Sequence, residues 1–334
     1  MGRTQKLSGD RLAQLQAWAD ELGFEAIGVS RAEHLDEEAP RLEAWLAEGR
    51  HGEMGYMEGH FDKRLDPRLL VPGTKTVLSL LYNYHAPSPS PSPRPAAASP
   101  PESDAGEPDL KIASYALGED YHFVVKWKLK ELLKWMRASW GDIEGRVFVD
   151  SAPVMERAWA ARGGLGWIGK NSLLLNKKAG SFFFLGEIFI DIDLPANRTE
   201  AVDHCGTCTR CIDVCPTGAI IQPYSVDGSR CISYYTIELR DDLPEPIAGS
   251  FEDWMFGCDL CQEVCPWNSH AKPHNEPAFT ASPDLLAMTR SDWVDLTEDT
   301  FEALFKKSPV RRAGFEGLKR NIAHIERERL RRGN

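Results

Sequence analysis

Apolar residues in "LSGDRLAQLQAWADELGF" fall at helical spacing, with Leu12, Leu15, Ala19 and Leu22 on one face. That pattern predicts an amphipathic helix with Ser8 and Asp10 as candidate caps. The period then shortens: "EAIGVSRA" reads as a short strand and "TKTVLSLLYNY" as a buried one, with the helical "APRLEAWLAEGR" between them. A second long amphipathic helix is predicted in "DYHFVVKWKLKELLKWMRASW", then a strand in "RVFVD" and a glycine-ended helix in "PVMERAWAARGGLG". In "IGKNSLLLNKKAGSFFFLGEIFIDIDL" two apolar strands are predicted around the turn "NKKAG". Their hydrophobicity is more continuous than an exposed hairpin needs, so another layer or a large ligand must cover them. Short helices are expected to close the chain.

These elements predict an α+β fold for residues 1–200, with a mixed sheet flanked by helices. A cysteine-rich module over 201–270 and a basic helical segment over 271–334 complete the expected organisation. Residues 86–108 hold eight prolines in 23 positions, which predicts a mobile loop inside the first domain and not a boundary.

Composition is that of an ordinary soluble protein, and no apolar run is long enough to cross a membrane. The first 25 residues hold no apolar signal core, so the expected location is the cytoplasm and the expected state a monomer. Charge is uneven. Residues 306–334 carry ten Lys and Arg against three Glu, a net +7, leaving −18 for the rest of a chain whose total is −11. An acidic body repels nucleic acid, whereas a basic end can grip phosphates.

The eight cysteines carry the clearest chemistry. "HCGTCTRCIDVCPTGAI" is a C-x2-C-x2-C-x3-C-P run, whose first three thiolates wrap one [4Fe-4S] cube while the fourth crosses to another. "CDLCQEVCPWN" repeats the C-x3-C-P ending. By symmetry one set is Cys205, Cys208, Cys211 and Cys265, and the other is Cys215, Cys231, Cys258 and Cys261. Disulfides conflict with a reducing compartment, and zinc knuckles fit less well than clusters because of the third close cysteine and the following prolines. About 200 residues precede this module, more than an electron carrier requires, so they must bind whatever receives the electrons. No G-x-G-x-x-G follows a strand, which gives no support to a nicotinamide or FAD site.

Together "RVFVDSAPVMERAWAARGGLGWIGKNSLLL", "GEIFIDIDL", the two cysteine runs and "RCISYYT" resemble the epoxyqueuosine reductases, over nearly the whole chain. The resemblance implies a cobalamin- and iron–sulfur-dependent reduction of epoxyqueuosine to queuosine at the tRNA wobble position, fed by an external one-electron donor protein. It implies that Asp150 donates the proton, a role that calls for burial to keep the acid protonated. On local pattern alone, Asp150 and Ser151 read as N-caps of a helix from about Pro153. It also implies cobalamin contacts from Arg64, Asp150, Leu174, Leu185, Ile188, Ser233 and Asp259, with the three apolar side chains covering the ring. His122 lacks the context of a cobalt ligand, since Val125 stands where the D-x-H-x-x-G motif has glycine, and it is expected to face the substrate or the interior. For tRNA, Arg311, Arg312, Lys319 and Arg320 are the candidate phosphate contacts. Two other readings compete: a dehalogenase-like cobalamin and iron–sulfur reductase, and a ferredoxin with an accessory domain.

Overall fold

Four strands build the central sheet: β1 (Ala26–Arg31), β2 (Thr76–Asn83), β3 (Gly145–Phe148) and β4 (Phe183–Ile190), in the order β1-β2-β4-β3. This computed structural model describes residues 2–86, 110–196, 202–245, 247 and 249–332, with the side chains of the first helix from Asp10 onward. All three pairings are antiparallel, which corrects the expected mixed sheet. A short parallel pair does form, between Lys111–Ile112 and Trp254–Phe256, outside that sheet.

Alternation along β4 divides its neighbours between two faces. Phe182, Phe184, Ile188 and Ile190 face α1 (Gly2–Glu21) and α2 (Tyr121–Trp140), packing on Leu15, Val125 and Leu129. On the other face, Phe183 and Leu185 join Leu81 and Ala160, and Phe189 joins Val77 and Trp159. Ala160 and Trp159 belong to α3 (Glu156–Arg162). The sheet is therefore covered on both sides, which accounts for the continuous hydrophobicity of β4.

α1 begins at Gly2, so Ser8 and Asp10 lie within it and do not cap it. α2 does have the expected start, with Asp120 accepting from the His122 N–H. The turn "NKKAG" closes through paired bonds between Asn176 and Gly180 of 2.8 and 3.0 Å, but the strand before it, Leu174–Leu175, pairs with Trp167–Ile168 and not with β4. Residues 87–108 of the proline-rich segment lie outside the described residues.

A second core draws Ala113 and Ala116 together with Ile232, Tyr235, Phe251, Trp254 and Phe256, and with Leu318, Ile322 and Ile325 of α4 (Gly314–Arg332). Residues before 117, around the cysteines and from the basic end thus share one core, so packing does not divide at 200 and 270.

Candidate functional site

β3 ends at Phe148, and the chain turns sharply at Asp150, which has φ +49. Left-handed backbone is strained for a residue with a Cβ, though aspartate tolerates it better than most. Three contacts hold it there. The Tyr121 hydroxyl donates to Asp150 Oδ2 at 2.5 Å, His122 Nε2 stands 3.7 Å from the same oxygen, and the Asp150 N–H donates to Glu156 Oε1 at 2.6 Å. Tyr121 is itself fixed by stacking on Phe184 at 4.1 Å, and His122 Nδ1 is paired with Asp120 at 2.7 Å. The helix after this loop starts at Glu156 with Met155 as an uncapped N-cap, so neither Asp150 nor Ser151 caps it. The protein itself does not supply the burial expected of the Asp150 side chain, which is 59 % exposed.

Beneath the loop lies a pair of carboxyls. Glu187, on β4, has no exposed surface, and the Glu156 carboxyl adjoins it. Burial pushes Glu156 up to about 8, with the Asp150 charge adding to the effect, and raises Glu187 well above the carboxylate range. Two such groups in contact hold a proton between them at neutral pH. Arg157, next to Glu156, is exposed to solvent and donates to the Ser172 carbonyl. Leu185, half-buried, lies two residues before Glu187 on the same face, about 7 Å along the strand.

Tyr115 leads from Asp150 toward the cysteine loops, its ring meeting that of Tyr121 edge-on at 6.0 Å. Its hydroxyl is held far above its usual value by burial and by the carboxylates of Asp150, Asp259 and Glu238. Asp259 is buried and accepts both the Ser114 N–H and hydroxyl at 2.6 Å. It is also the residue between Cys258 and Leu260, at the head of a cysteine loop.

The thiols fall into two groups. Cys205, Cys208, Cys211 and Cys265 line a cavity of about 260 Å3 with Trp267, His204 and Leu175. Lys170 clamps its loop, donating to the Gly206 carbonyl at 2.6 Å and the Cys208 carbonyl at 2.9 Å. Cys258 feels Cys231 and Cys215, and Cys261 feels Cys258 and Cys231; burial raises these thiols, a cost that bound cations would remove. Among the described residues no three His, Cys, Asp or Glu converge closely enough for a single ion. A four-thiol cavity of this size suits a cluster and not one zinc.

Several expected site residues present no free side chain beside Asp150. Ile188 has no exposure and faces α2, so its side chain cannot cover a ring on the Leu185 side. Leu174, 2 % exposed, belongs to the core beneath Leu185. Arg64 is buried and spends its guanidinium on the carbonyls of Tyr56 at 2.5 Å and Gly59 at 3.3 Å, shaping the turn that presents Tyr56. Ser233 donates to Cys231 and precedes a π-helix, Tyr234–Glu238. Of the basic candidates, Arg311 is paired with Glu302 at 2.5 Å and Arg312 with Glu238 at 2.5 and 2.6 Å. Lys319 donates to the Val294 carbonyl at 2.6 Å. Arg320 donates to the carbonyls of Tyr235, Leu239 and Asp241, which makes it a cap of the π-helix and not a free phosphate ligand. The residues the sequence reading passed over are Glu156, Arg157, Glu187 and Tyr115; the lone carboxylate in "FFFLGEIFI" was the available signal.

Residues 64–151 match the family model described as epoxyqueuosine reductase QueG, DUF1730, and residues 204–268 match a 4Fe-4S double cluster binding domain. An epoxyqueuosine reductase of Cellulophaga algicola is 53 % identical over 312 residues, 93 % of this chain and 97 % of the relative. A crystal structure of epoxyqueuosine reductase with an epoxyqueuosine-modified tRNA-Tyr stem loop superposes with a TM-score of 0.84 at 27 % identity, covering 95 % of this chain and 81 % of that one. A Bacillus subtilis epoxyqueuosine reductase, determined with its aspartate catalytic loop swung out of the active site, gives 0.84 at 26 % identity over the same shares.

Proposed function

The chain belongs to the epoxyqueuosine reductase family, and we propose that it performs the family's reaction with two [4Fe-4S] clusters and a cobalamin seated in the Asp150 cleft. It is an oxidoreductase that converts epoxyqueuosine to queuosine. tRNA bearing epoxyqueuosine is the partner, an external one-electron donor protein supplies the reductant, and the setting is the cytoplasm. Among the described residues no helix is long and apolar enough to cross a membrane.

Opening an epoxide to an alkene consumes two electrons and two protons and releases water. Bound clusters supply electrons one at a time, and bound cobalamin supplies a reducing metal centre where they are gathered. The chain's own task is therefore to hold the groups and deliver protons. Cys205, Cys208, Cys211 and Cys265 would hold one cluster, and Cys215, Cys231, Cys258 and Cys261 the other. Leu185 and Arg157 would meet the apolar ring and its polar fringe, with Ser233 and Asp259 on the cluster side and Arg64 acting through the Tyr56 turn. Asp150 would give a proton to the epoxide oxygen. Tyr121 fixes the carboxyl's direction, and Glu156 fixes the backbone from below.

The observation that supports this reading is a chain of contacts: Asp259, beside Cys258, accepts from Ser114 at 2.6 Å, the next residue, Tyr115, meets Tyr121 edge-on at 6.0 Å, and the Tyr121 hydroxyl donates to Asp150. Neighbouring residues thus link the proposed proton donor to the second set of thiols. A catalytic aspartate loop is named for the Bacillus subtilis relative, and the proposal gives that role here to the loop carrying Asp150. The test is anaerobic turnover of epoxyqueuosine-containing tRNA by protein reconstituted with iron and sulfide, with and without cobalamin. Cobalamin-dependent queuosine is expected, with an Asp150→Ala variant that binds cobalamin and forms none. Absence of queuosine from protein holding about eight irons and one cobalamin would sink the assignment.

A further inference from the structure

A groove of about 550 Å3 runs from the loop after Asp150 along α2, and its lining includes Lys126, Lys130, Arg137 and Arg146 beside Ser151 and Ala152, with no carboxylate. In a chain of net charge −11, four cations without an acid are a marked local reversal. Among the described residues neither Lys126 nor Lys130 has an ion pair or hydrogen bond. Arg137 is partly used, donating to the Ile143 carbonyl at 2.9 Å, and Arg146 lies over the Phe148 ring at 5.0 Å.

The same stretch of α2 exposes two aromatic rings, Phe123 at 73 % and Trp127 at 58 %. At 3.6 residues per turn, Phe123, Lys126, Trp127 and Lys130 fall within about 100° of the helix circumference. Rings and ammonium groups therefore form one stripe, and from Lys126 to Arg137 it extends about 16 Å. Exposed ring faces stack bases and adjacent cations hold phosphates, the combination that binds an RNA strand. The groove also starts at Ser151, next to the residue that addresses the substrate.

We propose that this stripe is the track for the RNA strand flanking the base presented to Asp150, an inference that rests on the tRNA substrate proposed above. Lys126 and Lys130 bind backbone phosphates, and Trp127 with Phe123 stacks unpaired bases. The charge complement is placed here and not on Arg311, Arg312 or Arg320, whose guanidinium groups are already engaged.

The experiment uses the full chain loaded with iron, sulfide and cobalamin and an epoxyqueuosine-bearing tRNA stem-loop. Binding is measured by fluorescence anisotropy across a salt series, and turnover is measured alongside. Turnover by the unaltered protein comes first: none would overturn the function and this inference together. Given turnover, a Lys126→Gln/Lys130→Gln variant should bind about tenfold more weakly at low salt, with the slope of log affinity against log salt reduced by about 2. Trp127→Ala should also weaken binding about tenfold, and both variants should keep the parent's rate at saturating RNA. Arg311→Gln is the comparison and should bind as the parent does. Unchanged affinity and slope in both groove variants would overturn the track while leaving the function standing. So would a defect confined to the rate of reduction by an acidic electron-donor protein, which would make the groove that protein's dock.

Discussion

Asp150 combines a strained backbone with a directed side chain, and the two can be separated by substitution. Asparagine tolerates φ near +49 and can still accept from Tyr121, but it has no acidic proton to give. Asp150→Asn should therefore fold and load iron like the parent while single-turnover formation of queuosine falls by about 100-fold or more; near-parental turnover would remove Asp150 from proton delivery. The carboxyl pair below has a pH signature of its own. An acid raised in the folded state keeps a proton that the unfolded chain has released, so its contribution is whole below the unfolded value of about 4.3. That contribution is lost as pH rises toward about 8. Glu187→Gln removes one member of the pair while retaining hydrogen-bonding atoms toward Glu156. Stability of the loaded protein, followed by urea midpoints at about pH 5.5 and about pH 8, should fall less across that range than in the parent. Equal slopes would mean that the pair carries no proton.

Elements with a long period were legible, and those that depend on distant partners were not. α2 announces itself through Val125, Leu129, Leu132 and Met136, all buried, and its Asp120 cap is a local signal. The partner of Leu174–Leu175 has no local signal. It is set by a close approach at Gly166, where a Cβ would lie 1.9 Å from the Leu175 carbonyl oxygen, and only glycine permits it. Leu185 and Ile188, by contrast, were separable from sequence: their odd spacing sends them to opposite faces of a strand, and grouping them as one ring cover ignored it. The π-helix Tyr234–Glu238 was invisible because its stability comes from elsewhere. Arg320, on α4, satisfies the carbonyls at its end, and Asn321 donates to the Thr236 carbonyl at 2.9 Å. Since that segment follows directly on Cys231 and Ser233, loss of the cap should loosen a cysteine loop. Arg320→Met is expected to destabilise the loaded protein by about 2 kcal/mol, discounted for partial exposure, and to hasten iron loss to a chelator. RNA affinity should stay unchanged. A drop in affinity with stability intact would return Arg320 to the substrate surface.

Across the whole molecule the crossing of the cysteines joins parts that sequence keeps distant. Cys265 sits in the second run but lines the cavity of the first, whereas Cys215 ends the first run and lies with Cys231 and Cys258. The C-x3-C-P spacing made this legible in the sequence, because it sends the fourth thiolate away. What the rule could not show is which cluster adjoins the Asp150 cleft. On the function proposed above, Asp259 and Ser233 give that position to the Cys215 set, so the two clusters should differ in what their loss does. Cys265→Ser should lower iron from about eight to about four per chain and spare the cluster beside the cleft. Electrons from a chemical reductant of small size can then still enter there, and turnover with that reductant should persist while turnover with a protein donor falls. Cys215→Ser should lose the same amount of iron and abolish turnover with either reductant, since on the proposed order the remaining cluster is the outer one. Iron analysis with paired assays in the two reductants reads this out. If the two variants lose turnover identically with the small reductant, the order from the outer cluster through the inner one to the cleft is incorrect.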